Sequence, residues 1–452
     1  MKRFEALARH PLAIAGAVIT TASAAVFIAL VIAVFAGMFE NPYAGLVIFL
    51  AIPAVFVVGL LMMPAGMWLE QRRLRRDPTA PADWPVVDFR HPVVRRRVLL
   101  LVALTGVNIV IILLAGYGGL HAMESPRFCG QACHTPMHPQ FTAWGNGAHA
   151  RVACVSCHIG EGPKAFVHAK LAGVRQLAHV VTGSYPRPVP PGAHMPPGAQ
   201  AQTCLGCHQP QRTTGDRVRV FREYADDEQN TENVSVLEMN MGGPASEGRS
   251  IHWHANPAVH IEYVATSDDR QTIPYVKVTD AKGNVKEYFA ANTSEQTIAG
   301  SARRSMDCVD CHNAVGHPIS PTPEKAVDRA IASGSVSRQL PFVRREGVRL
   351  LTATYPTQDA AMEGIAKGLK DFYASHGGPI DQQAVDRAAA ALQDAYRGNV
   401  FPTMKVGFGA YPHNEMHIDS PGCVRCHDDE HKAKDGSAIN GDCEFCHKQK
   451  DT

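Results

Sequence analysis

Charge is scarce in this sequence. Asp, Glu, Lys and Arg make up 19% of 452 residues against 45% apolar, too little charge for a disordered chain and enough length for two or three domains. Charge is missing altogether from Leu12 to Phe39, Asn41 to Leu69 and Val98 to Met123, and each run exceeds the roughly 20 residues that a bilayer-spanning helix needs. Unpaired cysteine is missing too. The 12 cysteines form the close pairs Cys129/Cys133, Cys154/Cys157, Cys204/Cys207, Cys308/Cys311, Cys423/Cys426 and Cys443/Cys446. Each second cysteine is followed by histidine: His134, His158, His208, His312, His427 and His447. At a chance rate of about 5% per position, six such coincidences have odds on the order of one in 10⁸. That excludes a disulfide scaffold, a zinc ribbon and an ordinary cytosolic enzyme. There is no solenoid period, and the motifs are too unevenly spaced to supply one.

The three uncharged runs predict transmembrane helices at about 12–39, 42–69 and 98–122. Lys2, Arg3 and Arg9 before small residues Ser23, Ala24 and Ala25 resemble a signal peptide, but a signal core is only about 7 to 15 residues long and this run continues far beyond. The loop 70–97 holds eight arginines between Arg72 and Arg97 against Asp77, Asp83 and Asp88. The positive-inside rule makes that loop and the N-terminus cytoplasmic. Glu40 to Tyr43 is then a tight outer turn, and everything after Met123 lies in the periplasm of a bacterial inner membrane.

Cys-x-x-Cys-His is the covalent attachment site of haem c: two thiols bond the vinyl groups and the histidine binds the iron. Five copies have standard spacing. The first, Cys129-Gly-Gln-Ala-Cys133-His134, has three intervening residues. The expectation is six haem c groups with six proximal histidines. The outer part has a net charge of about −4, which 12 ionised propionates would take to about −16. Compartment and sign both exclude nucleic-acid binding.

The fold class expected is a membrane-anchored multihaem cytochrome c, with three N-terminal helices followed by a mostly irregular and helical haem-packed part and a small β module. Its domains are 1–124 in the membrane, 125–215 with three haems, a β-rich insertion 216–300, and 301–452 with three haems and helices. Period-two alternation predicts strands at Arg217 to Phe221, Ile261 to Thr266, Ile273 to Val278 and Val285 to Phe289, with a hairpin turn at Asp280 to Asn284. Helical stretches are expected at Glu324 to Ser333, Gln358 to Ser375 and Gln382 to Tyr396. Outside the motifs, the periplasmic histidines exceed the number of sixth ligands needed. His149, His252, His254, His317, His417 and His431 are favoured by their nearness to a motif or by an aromatic flank. Irons with two histidine ligands are closed, suited to passing electrons and not to binding substrate.

Phe128-Cys-Gly-Gln-Ala-Cys-His-Thr-Pro-Met137, His149, Cys154-Val-Ser-Cys-His158 and Lys170 to Gly183 resemble the NapC/NirT family of membrane-anchored multihaem quinol dehydrogenases. Ile251-His-Trp-His and the later motifs look like its longer members, with three spans and extra haems. The resemblance implies a quinol site at the first haem, with Met137 as a candidate axial ligand, three residues after His134 where two is usual. It also implies that Lys170 lines the quinol pocket. The acidic residue often found seven positions later is Leu177 here, so Gln176 and His179 become candidates, and His179 could instead ligate the first iron. The function implied is a quinol:cytochrome c-type oxidoreductase that draws on the membrane quinone pool and feeds a periplasmic cytochrome or reductase. An electron-conducting subunit without its own quinol site and a terminal multihaem reductase are the alternatives. Purified protein is expected to carry six haem c per chain by pyridine haemochrome assay, and a ratio of five would leave the Cys129/Cys133 site empty.

Overall fold

The computed structural model describes residues 10–35, 47–75, 89–132, 134–159, 163–190, 203–209, 215–242, 250–377 and 379–450. Cys133, the expected turn at 40–43 and the loop centre at 76–88 lie outside them. The chain divides into two compact units, Met1–His134 and Thr135–Thr452.

The first unit consists of helices α1 (Pro11–Phe35), α2 (Ile52–Arg75) and α3 (Pro92–Glu124). Segments of α1 and α2, Pro11–Leu30 and Ile52–Arg73, are long and apolar enough to cross a membrane. The third uncharged run lies inside α3, which is 33 residues long. Small residues let α1 and α2 approach closely, as lipid-embedded helices do. A Cβ on Gly16 would stand 2.7 Å from the Gly59 carbonyl oxygen, and one on Gly66 would stand 2.5 Å from the Ala13 nitrogen. Contacts that climb one helix while descending the other make the pair antiparallel. Within α1 the Thr20 and Ser23 hydroxyls donate to the Gly16 and Ile19 carbonyls at 2.8 and 2.7 Å, which satisfies them without water.

In the second unit, helix α4 (His134–Gly145), a single turn Cys154–His158 and helix α5 (Pro163–Thr182) carry the first haem-motif region. Among the described residues from 134 to 209 only positions 136, 139 and 143 are buried. The peptide here has almost no core of its own, as expected where porphyrin is to supply the packing partner.

Strands β1 (Arg217–Tyr224), β2 (Glu232–Met239), β3 (His260–Val264), β4 (Tyr275–Thr279), β5 (Val285–Phe289), β6 (Arg303–Ser305), β7 (Lys432–Ala433) and β8 (His447–Lys450) form two antiparallel sheets, ordered β1-β2-β8 and β6-β3-β4-β5-β7. The hairpin turn forms as expected: Asp280 Oδ1 accepts from the Lys282 and Asn284 nitrogens at 2.8 Å, and Gly283 takes φ +83°. The expected β insertion is not self-contained, because β6, β7 and β8 come from beyond residue 300 and complete both sheets.

Helices α6 (Pro323–Ala332), α7 (Val343–Thr352), α8 (Gln358–Ser375) and α9 (Gln382–Asn399) follow the fourth motif. Thr322, Thr357 and Asp381 cap α6, α8 and α9 through their side-chain oxygens. Val327, Ile365, Leu369, Val385 and Leu392 are fully buried in one core. These helices contain no haem motif and stand on that apolar core alone. Asn230, buried at the β1–β2 turn, donates to the Arg338 and Leu340 carbonyls at 3.0 and 2.8 Å and accepts from the Arg344 nitrogen, tying the sheet to the bundle. Leu392→Ala is expected to destabilise the bundle by about 2–5 kcal/mol, read as a lower denaturation midpoint by far-ultraviolet circular dichroism with the haem absorbance of the folded protein unchanged.

Candidate haem-attachment sites

The motifs described from the second onward sit on helical turns. Cys154–His158, Cys308–Cys311 and Cys443–Cys446 are short α-helices and Gly422–Arg425 is a 3₁₀ turn. Residues three apart on such a turn share a face, so both thiols of a pair can meet one porphyrin edge. Asp307 and Asp442 cap two of these turns. Gly422 takes φ +53°, and a Cβ there would stand 1.8 Å from the Met416 carbonyl oxygen, so only glycine fits before Cys423. None of the 11 described cysteines is in a disulfide.

The third motif also forms its turn, since the Cys207 and His208 nitrogens donate to the Cys204 carbonyl at 3.1 and 2.8 Å. Its two thiols differ in surroundings. Cys204 is half-buried, whereas Cys207 is exposed. Residues 203–209 include no buried side chain. Cys443 of the sixth motif is exposed in the same way.

Five motif histidines each face a histidine from elsewhere in the chain. Ring centroids are 6.1 Å apart for His158 and His317, 6.0 Å for His208 and His149, 6.4 Å for His312 and His252, 5.8 Å for His427 and His254, and 6.2 Å for His447 and His417. These gaps are too wide for stacking or hydrogen bonding between the rings. Two iron–imidazole bonds of about 2 Å, with each ring centre about 1.1 Å beyond its nitrogen, would separate coaxial centroids by about 6 Å. The residues therefore fit haem c.

Hydrogen bonds orient several of these rings. Nδ1 of His149, His317, His254 and His427 donates to the carbonyls of Val315, Gln140, Ile251 and Asn440 at 3.1, 2.9, 2.8 and 2.7 Å. A carbonyl only accepts, which places the proton on Nδ1 and leaves the Nε2 lone pair for a metal. Burial holds His252, His254 and His317 below the ordinary histidine range, and Nδ1 of His252 is buried without a hydrogen-bond partner. His252 and His254 share one five-residue 3₁₀ turn, Ile251–Ala255, yet face different motifs.

Thiols of successive motifs lie close enough to perturb one another. Burial raises Cys157, and Cys204, Cys154 and Cys207 add to this, so Cys207 stays beside the second motif despite its exposure. A hydrogen bond between Cys204 and Cys308 lowers the first thiol and raises the second. Burial pushes Cys311 and Cys426 up to about 12, with Cys423 contributing to both, and burial followed by Cys423 raises Cys446. The second to sixth motifs are thus neighbours in chain order.

One expected ligand stands elsewhere. His431 is 2% exposed, its Nε2 donates to the Ile273 carbonyl at 2.7 Å, and its Nδ1 meets the Asp428 carboxylate at 2.9 and 3.0 Å. Both nitrogens are engaged, so this ring is a buried hydrogen-bonder and not a ligand. His179 pairs its Nδ1 with the Ser184 hydroxyl at 2.8 Å. Met137 lies three positions after His134 on α4, on the same helix face. On α5 the helical period of about 3.6 residues sets position 170 at the edge of an exposed apolar stripe, Val167, Leu171, Val174 and Val181. The same period turns Gln176 and His179 away from that stripe, so the three candidate quinol residues do not converge.

A buried polar cluster was not anticipated. Asp310 and Arg425, the second spacer residues of the fourth and fifth motifs, are 4% and 9% exposed and meet through a hydrogen bond from Arg425 Nη2 to the Asp310 carbonyl at 2.6 Å. Charged residues inside two motif spacers were the available signal.

A model of the N-terminal region of the NapC/NirT cytochrome c family matches residues 92–188. The cytochrome c-type protein ImcH of Geobacter sulfurreducens is 34% identical over 448 residues, covering 97% of this chain and 87% of that protein. The chain belongs to the NapC/NirT-type multihaem cytochromes. This cytochrome is a membrane-anchored electron-transfer protein with covalently bound haem c. No solved structure matches it. His431→Gln is expected to leave its low-spin haem spectrum unchanged while lowering stability by about 1–3 kcal/mol, measured by absorbance and by denaturant titration on the same sample.

Proposed function

We propose that this cytochrome oxidises a membrane quinol, menaquinol in kind, at the periplasmic face of the inner membrane and delivers the electrons to a periplasmic acceptor through six haem sites. The observation that carries this is the set of five imidazole pairs separated by 5.8 to 6.4 Å. Motif histidines serve as proximal ligands, and His317, His149, His252, His254 and His417 as distal ligands of the second to sixth sites in turn. Haem c supplies one reversible one-electron couple at each site. A terminal reductase would need a vacant coordination position, and the second to sixth sites, each with two histidines, would offer none.

The succession of thiols from Cys157 to Cys446 supports an ordered series of sites, because each motif is perturbed by the next. The 33-residue α3 supports a third span, since about 20 helical residues cover the hydrocarbon core. It leads directly into the first motif, where quinol from the lipid would arrive. The exposed apolar stripe on α5, with Lys170 at its edge, supports contact of this helix with lipid or quinol. There the ammonium would stabilise negative charge developing on a quinol oxygen as its proton leaves, an effect strengthened by low dielectric.

Lys170→Met is expected to slow haem reduction by a menaquinol analogue at least tenfold, about 1.4 kcal/mol in the barrier, while dithionite still reduces every haem. Unchanged quinol kinetics with full haem content would remove Lys170 from the mechanism. Absence of quinol oxidation in the unmodified protein would instead identify an electron-conducting subunit.

A further inference from the structure

The fourth and fifth motifs are joined by groups that neither haem attachment nor iron ligation uses. Asp310 Oδ1 accepts from the Tyr263 hydroxyl at 2.6 Å and from Arg270 Nη1 at 2.8 Å, and its Oδ2 accepts from the Asp307 nitrogen at 2.8 Å. Burial, and then the Asp310 carboxylate, raise the Tyr263 phenol, which keeps it a donor. Arg425 is held differently. Its Nε, Nη1 and Nη2 donate to the carbonyls of Gly422, Arg270 and Asp310 at 2.7, 2.9 and 2.6 Å. Carbonyl dipoles solvate this guanidinium without neutralising it. Arg425 and Asp310 are buried and Arg270 is partly so, and the three together keep one net positive charge.

Buried Arg425 is costly to desolvate, and an apolar residue of similar volume would stabilise its position at least as well. A buried positive charge next to a redox centre favours the reduced state, because the added electron is attracted to it, and low dielectric makes the attraction large. The cluster touches the spacers of two motifs, and the shared Ile251–Ala255 turn faces the same two motif histidines.

We propose that Arg425 is a positioning and tuning residue that locks the fourth and fifth haem sites together and raises the reduction potentials of that pair above those they would otherwise have, with Asp310 partly offsetting its charge. This rests on haem occupying both sites as proposed above.

The test is potentiometric titration of the purified holoprotein with haem content and spin state recorded on each sample. Arg425→Met is expected to shift two of the six midpoints negative by at least tenfold in the oxidised-to-reduced ratio at fixed potential, about 59 mV for a one-electron couple. Arg425→Lys, which keeps the charge, restores most of that shift. Asp310→Asn, which removes the offsetting charge, moves the same two midpoints positive. Opposite signs from the two charge removals distinguish electrostatic tuning from a loosened fold. Unchanged midpoints in Arg425→Met with six low-spin haems would overturn the assignment, as would shifts of one sign in both charge-removing variants. Should Arg425→Met lose haem, absence of a positive shift in Asp310→Asn overturns it alone. Fewer than six haems or high-spin iron in the unmodified protein would instead break the underlying ligand assignment and not the tuning.

Discussion

The polypeptide has to hold imidazoles in opposed pairs with a gap of about 6 Å between ring centres, around a group that covalent bonds fix on one side only. A short helical turn fixes two thiols and one ring. The facing ring must come from somewhere else in the chain and be held by other means. His149 is set by the Val315 carbonyl and His317 by the Gln140 carbonyl, so these two rings depend on backbone from a remote segment. This explains why the haem-rich stretch between 134 and 209 has so few buried residues of its own, while elements that carry no motif are well packed. The four-helix bundle and the two sheets serve as frames on which loosely structured motif segments are arranged.

Local chemistry was legible in the sequence and remote pairing was not. Attachment cysteines and proximal histidines announce themselves because thioether formation and ligation need them within five consecutive residues. His317 faces His158 and His149 faces His208, and nothing in the spacing of either pair could reveal that. Exposure of Cys207 beside half-buried Cys204 was equally invisible, since spacing says which thiols belong together and not what covers them. His431 was misjudged because nearness to a motif counted in its favour, whereas Asp428, three residues earlier, and the Ile273 carbonyl claim its two nitrogens. Strand β2 escaped notice beside the polar turn that precedes it, and β8, which reads His-Lys-Gln-Lys, has no strand propensity and is extended only because β2 offers it an edge. Helix α7 was missed for the opposite reason: its arginines read as surface while Val343, Leu350 and Leu351 hold the inner face.

Membrane anchoring and periplasmic packing answer to different rules. Helices α1 and α2 meet through glycine and alanine, where close backbone approach replaces the hydrophobic effect. The bundle α6–α9 buries a full apolar core against water. The haem-bearing segments follow neither rule, since their apolar partner is the porphyrin.

The two sheets are completed by the last strands to be made. β2 waits for residues 447–450 and β5 for residues 432–433, so each sheet keeps an open strand edge until those residues have been made. Loss of residues 447–450 would leave the β2 edge unpaired beside the sixth motif, where association between chains becomes the competing outcome.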